Sequence, residues 1–445
     1  MPVTQWWAEQ AWRGGPGLDE GVLIETDGDR IVDVRSGLAP PPGAVRLEGV
    51  VIPGMANAHS HCFHRALRAR TQDQRGDFWS WREAMYAVAG RLEPDTYLAL
   101  ARAVFAEMAL AGITCVGEFH YLHHGRGGVA YAAPNAMGEA LVAAAADAGI
   151  RITLLDTCYL SGGIGVPLEG VQRRFGDADA AAWARRAGAL CPLAHARVGA
   201  AVHSVRGVPA EQMGTVAEWA AAHAAPLHVH LSEQPAENQA CLAAYGCTPT
   251  QLLGNHGVLG ERTTAVHATH LSDADVALVA GTRTAVCMCP TTERDLADGI
   301  GPARALTSAG SPLVLGSDSH AVVDLLEEAR AVELDERLRS GRRGHWSAAE
   351  LLRAATVDGH VALGWPEAGR LEPAALADFV SVDLRTPRAA GAGASHELAA
   401  LVFAAGAADV RDVVVGGRRV VAGGRHQRIE DVWGALTDAI AAVTG

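Results

Sequence analysis

VVIPGMANAHSH, residues 50–61, decides the fold: an apolar run of strand character that ends on two histidines set two apart. Seven further runs of the same kind follow, GITCVGEF (112–119), RITLLDTCY (151–159), ARVGAAVHS (196–204), PLHVHLSE (226–233), TTAVHATHLS (263–272), TAVCMCPTT (284–292) and PLVLGSDS (312–319). Between them lie Ala/Leu/Glu-rich amphipathic segments such as TYLALARAVFAEMALAG and AMGEALVAAAADAG, each closing on a glycine able to cap a helix. Strand and helix alternating eight times predict an α/β protein with a (β/α)8, TIM-like barrel. The structural alternative is a doubly wound open sheet, but no GxGxxG opens any of these helices.

Working outward, residues 1–50 alternate strand-like pieces (GVLIETDGDRIVDV) with turns (APPPGA). After about residue 365 the chain turns β-like again (LADFVSVDL, VRDVVVGGRRVVAGGRH). Each end is too short to bury a core alone. We therefore expect one small β-sandwich built from 1–52 and 366–445, beside a barrel over 53–365.

Composition narrows the function. The 445 residues are 49% hydrophobic and 20% charged, as in a soluble globular protein. The formal charge is −13, with no basic run, which argues against a nucleic-acid partner. The most apolar stretch, Leu398–Ala408, is far short of the roughly 20 residues a membrane span needs. The opening MPVTQWWAEQAW has neither the basic nor the apolar region of a secretory signal. The eight cysteines include no CxxC pair and several sit in apolar runs, so reduced thiols and a cytoplasmic location are expected. All 37 basic residues are arginine. Without lysine there can be no Schiff base, no P-loop lysine and no carboxylated lysine bridging two metals.

His59 and His61, at i and i+2, face the same side of their strand and can aim at one point over the C-terminal rim, where barrel active sites lie. His230 closes the fifth strand, His267 lies in the sixth and Asp318 in the eighth. Singly, each of these is a hydrogen-bonded polar group of the core. Jointly, they form a ligand set for which one Zn2+ is the default, with His59, His61, His230 and Asp318 as ligands. Glu233, three residues past His230, is free to serve as the acid/base that takes a proton from water and hands it to a leaving nitrogen. His267 is either a fifth ligand or a hydrogen-bond donor to the tetrahedral intermediate. Arg82 in FWSWREAMY, Tyr121 in EFHYLHH, and His203 and Arg206 in HSVR stand near the same rim. As anchors, the two arginines imply a small anionic ligand with two carboxylates; the other reading is structural ion pairs.

PGMANAHSHCFHRAL, HVHLSE, VHATHLS and GSDSH resemble the amidohydrolase superfamily. FWSWREAMY, GEFHYLHHG, LLDTCY, QRRF, VHSVR and CPTTERDLADG are similar, more narrowly, to its formimidoylglutamate deiminases. The resemblance implies hydrolysis of N-formimidoyl-L-glutamate to N-formyl-L-glutamate and ammonia at one zinc, a step of histidine degradation. It makes His59, His61, His230 and Asp318 the ligands, Glu233 and His267 catalytic, and Arg82, Tyr121, His203 and Arg206 substrate contacts. One position departs: where that family usually has HSHxFQR, the glutamine is replaced by His64, a candidate substrate contact that can also carry charge. A homodimer is expected. The rival readings are a deaminase of a nucleobase or other cyclic amidine, which would read a flat ring with amides and stacking, and a catalytically silent barrel scaffold, which should have lost ligands that are all present here.

Overall fold

The computed structural model describes residues 3–73, 75–393 and 396–445. Four strands open the chain: β1 (Thr4–Ala11), β2 (Asp19–Asp27), β3 (Arg30–Arg35) and β4 (Val45–Pro53). The barrel strands follow as β5 (Met55–Ser60), β6 (Ile113–His120), β7 (Arg151–Cys158), β8 (Ala196–Val202), β9 (Leu227–Leu231), β10 (Thr263–His267), β11 (Ala285–Met288) and β12 (Leu313–Leu315). They pair in sequence order, every ladder parallel, with helices between them. Being covered on both faces, they read as apolar runs, not as alternating ones. The ring closes where β12 meets β5. Ser60 bridges Asp318, His61 N–H donates to the Asp318 carbonyl (3.1 Å), and Asp318 N–H donates to the His59 carbonyl (3.0 Å).

The observed strands are shorter at their C-terminal ends than the apolar runs suggest, for local reasons. β9 stops at Ser232 (φ 51°) and β10 at His267 (φ 67°), both left-handed and so unable to continue a strand. β11 stops because Pro290 starts a helix two residues on. The glycine caps form as expected: Gly149, at φ 80°, ends the helix Ala136–Ala148.

β13 (Phe379–Val382), β14 (Val410–Val415), β15 (Arg418–Ala422) and β16 (Arg425–His426) come from the far end of the chain. β13 pairs antiparallel with β4, so both ends share one continuous eight-stranded sheet in the order β16-β15-β14-β13-β4-β1-β2-β3. Its own apolar cluster includes Trp6, Ile24, Val51 and Phe379. All eight cysteines are free thiols, six of them buried. Among the described residues, no helix is long and apolar enough to cross a membrane.

Candidate active site

The side chains at the barrel's closing seam converge. His59 Nε2 and His61 Nε2 lie 3.2 and 3.4 Å from His230 Nε2, and Asp318 Oδ1 lies 3.2 and 3.4 Å from the same two histidine atoms. Tetrahedral ligands with metal–nitrogen bonds of about 2.0–2.1 Å stand about 3.3–3.4 Å apart, so these four contacts suit one ion of that kind; ligand atoms of His59, His230, His267 and Asp318 also lie within 4.8 Å of one another. The tautomers suit it too. Nδ1–H of His61 donates to the Phe119 carbonyl (3.1 Å) and that of His230 to the His203 carbonyl (2.8 Å), which turns each Nε2 lone pair toward the common centre. Burial holds His59, His61 and His230 below the usual histidine range, as neutral ligand donors require. Burial works against the Asp318 carboxylate, but the hydrogen bond of His59 and the charge of His267 hold it well below its ordinary range.

His267 stands on the far side of Asp318, its Nε2 3.8 Å from Asp318 Oδ2 and 3.7 Å from Glu233 Oε1, its Nδ1 3.4 Å from Glu293 Oε1. Burial alone would depress this imidazole; Glu233, Glu293 and Asp318 outweigh it and hold it well above the ordinary range, as a proton donor. The Glu233 carboxyl is raised by burial, against the pull of His267. The backbone here is strained. Ser232, His267, Ala268, Asp318 and His320 all have positive φ, between 43° and 67°, at or just past the ends of β9, β10 and β12, where the site is built.

Above this cluster lies a cavity lined by aromatic, imidazole and arginine side chains. Phe78, Trp81, Arg82, Met85 and Tyr86 enter it from one face of the helix Phe78–Ala89, their spacing being that of a helical stripe. Asp77 caps that helix by accepting from Trp79 and Ser80 N–H. The Arg82 guanidinium lies 4.5 Å from the Trp79 ring and 5.5 Å from that of Tyr86. In the same lining, Arg206 Nε donates to Glu237 (2.6 Å), and its NH2 lies 4.0 Å from Glu233. His64 Nε2 is 3.0 Å from the Tyr121 hydroxyl, and burial pushes its pKa down to about 3, so it is uncharged at neutral pH. The charge that this position could have carried is therefore absent.

The structure thus brings His64, Arg82, Tyr121, His203 and Arg206 into one lining with His61, His230, Glu233, His267 and Asp318, with His59 beneath Asp318. Residues 50–420 match the model of the amidohydrolase family. This chain belongs to the amidohydrolase family. It is 38% identical over 92% of its length to a formimidoylglutamate deiminase of Pseudomonas aeruginosa, of which it covers 90%. It is 29% identical over 84% of its length to a 5-methylthioadenosine/S-adenosylhomocysteine deaminase of Pelotomaculum thermopropionicum, covering 80% of that protein. Its fold matches the crystal structure of an amidohydrolase from Brucella melitensis with a TM-score of 0.91, at 33% identity, over 99% of this chain and all of that one.

As an amidohydrolase the chain is a hydrolase, and its relatives are deaminases. Sequence reasoning passed over several members of the site. Trp81 and Tyr86 belong to the helical stripe that holds Arg82, and the i, i+3, i+4, i+7, i+8 spacing from Phe78 was the available signal. Tyr159 closes LLDTCY at the end of its strand. Glu293 and Glu237, which hold His267 and Arg206, follow from contacts between elements distant in the chain, and no local pattern marks them.

Proposed function

We propose that this amidohydrolase hydrolyses N-formimidoyl-L-glutamate to N-formyl-L-glutamate and ammonia, with one Zn2+ per chain, as a step of histidine degradation in the cytoplasm. One observation carries this reading: a His3Asp cluster and a buried glutamate share a cavity with two arginines, Arg82 and Arg206. A linear dicarboxylate whose amidine end reaches the cluster uses all of these groups at once.

His59, His61, His230 and Asp318 would hold the zinc, which when bound supplies Lewis acidity and a water acidic near pH 7. Glu233 then takes a proton from water and delivers it to the departing nitrogen, a task suited to a carboxyl raised by burial. Asp318 presents its second oxygen toward His267, and the protonated imidazole of His267 offers a hydrogen bond to charge that develops beside it. Arg82 and Arg206 take the substrate carboxylates. Neutral His64, with Tyr121, lies against the formimidoyl end without opposing its amidinium-like charge. His203 supports His230 through its carbonyl and packs on Tyr159. The partner is a small dicarboxylate, and the assembly we propose is a homodimer.

The relatives also include deaminases of ring compounds, and the walls carry Phe78, Trp81, Tyr121 and Tyr159, which suit stacking on a flat heterocycle. The paired arginines favour the dicarboxylate. The deciding measurement is ammonia release from N-formimidoyl-L-glutamate beside guanine and cytosine, followed by Arg206→Ala. Turnover of the linear substrate, with Arg206→Ala acting mainly through KM, supports the reading; turnover of a nucleobase alone sinks it. Glu233→Gln should keep its metal and lose turnover by about 10²-fold or more.

A further inference from the structure

We propose that Glu237 is a positioning residue that sets the orientation of the carboxylate-binding arginine and ties it to the turn bearing the general base; this rests on the reading of Arg206 as the substrate's anchor. Glu237 lies four residues after Glu233 in the first turn of the helix Pro235–Tyr245 and is 2% exposed. Its two oxygens divide their work. Oε2 accepts from Arg206 Nε at 2.6 Å, and Oε1 accepts from the backbone N–H of Ser232 at 3.2 Å. Ser232 is the residue at φ 51° through which β9 turns outward to present Glu233.

A guanidinium has five N–H donors in a rigid plane, so fixing Nε fixes where the other four point. With Nε on Glu237, the NH2 group of Arg206 comes to 4.0 Å from Glu233 and the guanidinium carbon to 5.9 Å from the Phe78 ring, while the residue lines the cavity. The two terminal nitrogens are left to meet a ligand carboxylate. The same carboxylate of Glu237 secures the strained Ser232 turn, so the distance between anchor and base is set by a single buried side chain. That distance is what a linear dicarboxylate must match. Glu237 thereby selects for ligand length without touching the ligand.

The test compares wild type, Glu237→Gln, Glu237→Asp, Arg206→Ala and the double variant Arg206→Ala/Glu237→Gln, all zinc-loaded. Glutamine keeps the shape but has one acceptor oxygen for two donors and no charge. It should raise KM for N-formimidoyl-L-glutamate about tenfold or more while kcat falls less, because a displaced clamp loses ground-state binding. Calorimetric binding of glutarate should weaken by a similar factor. Aspartate retains the charge at shorter reach and should fall between. The double variant should bind glutarate no more weakly than Arg206→Ala alone, since without the arginine Glu237 has nothing to aim. Unchanged KM and glutarate affinity in Glu237→Gln, or losses that multiply in the double variant, would overturn the proposal. Should Glu237→Gln fail to fold, Glu237→Asp carries the same comparison. If wild type leaves the formimidoyl substrate intact, the proposed function fails, yet glutarate binding still decides the role of Glu237; if wild type does not bind glutarate, the proposal falls with it.

Discussion

Asp318 and His59 are joined twice. The backbone N–H of Asp318 donates to the His59 carbonyl at 3.0 Å, and the Asp318 carboxylate lies 3.2 Å from His59 Nε2. The first contact closes the barrel and the second builds the cluster, so the fold's last seam and the proposed ligand set are one feature. Gly316 belongs to the same arrangement, because a Cβ there would come within 2.8 Å of the His59 Cβ.

Asp318→Asn should therefore separate the two functions of the seam. The backbone bond survives, and the fold with it, while the negative charge among three imidazoles is lost. Metal content per chain should fall, and ammonia release should drop at least about a hundredfold, since even supporting residues at metal sites are worth ~10–100-fold. Chelation of wild type should abolish activity, and added Zn2+ should restore it. An Asp318→Asn protein with full metal and full turnover would remove the cluster from the mechanism.

Much of this was legible in the sequence because parallel strands buried on both faces write themselves as unbroken apolar runs, and because barrel ligands sit at strand ends. His59, His61, His230, His267 and Asp318 all lie at or within three residues of a strand end, and the structure gathers them around Asp318. What stayed hidden has a common physical character. Glu237 and Glu293 act through side-chain contacts with residues 31 and 26 positions away, and the left-handed turns at Ser232 and Ala268 fall on residue types that do not announce them. The buried pair of Arg151 and Asp378, 227 residues apart, is equally invisible before the chain is folded.

Acid should weaken the fold through buried histidines outside the candidate ligand cluster. Burial lowers both His120 and His360 to about 4, against 6.5 for a histidine in the unfolded chain. Between those values the unfolded chain binds a proton that the folded chain refuses, so stability rises with pH across the window and is lost as pH falls from about 6.5 toward 4. Each such group contributes a slope of about 1.4 kcal/mol per pH unit. His360→Gln should flatten the pH dependence of the unfolding free energy, read by urea denaturation, by about that slope over pH 4.5–6. An unaltered slope would show that His360 protonates equally in both states.

Ala268 offers a test of strain. It is fully buried with φ at 50°, next to His267 at 67°. An L-residue held there costs roughly 1–2 kcal/mol, whereas glycine adopts the conformation freely and costs about 0.5–1 kcal/mol in chain entropy. Ala268→Gly should leave thermal stability unchanged or raise it by up to about 1 kcal/mol. The same substitution at Ala144, inside the helix Ala136–Ala148, should lower stability by about 1 kcal/mol or more. Equal losses at both positions would mean that the strand-end turn stores no strain.

The last expectation concerns how the sheet is fastened to the barrel. Arg151 opens β7, and its Nε and NH2 donate to the two oxygens of Asp378 at 2.6 and 3.0 Å, just ahead of β13. Asp378 is fully buried and also accepts from Gly416 N–H at 2.7 Å. Removing one partner of such a pair strands the other as an uncompensated buried charge, a loss of about 3–5 kcal/mol, whereas replacing both with apolar groups costs far less. Asp378→Ala should therefore unfold at markedly lower denaturant than wild type, and Arg151→Met/Asp378→Leu should recover part of that loss. Chemical denaturation of the three proteins checks it. If the double variant is less stable than Asp378→Ala, the contact is a net source of stability, and the sheet is held on the barrel by the ion pair itself more than by the apolar surfaces around it.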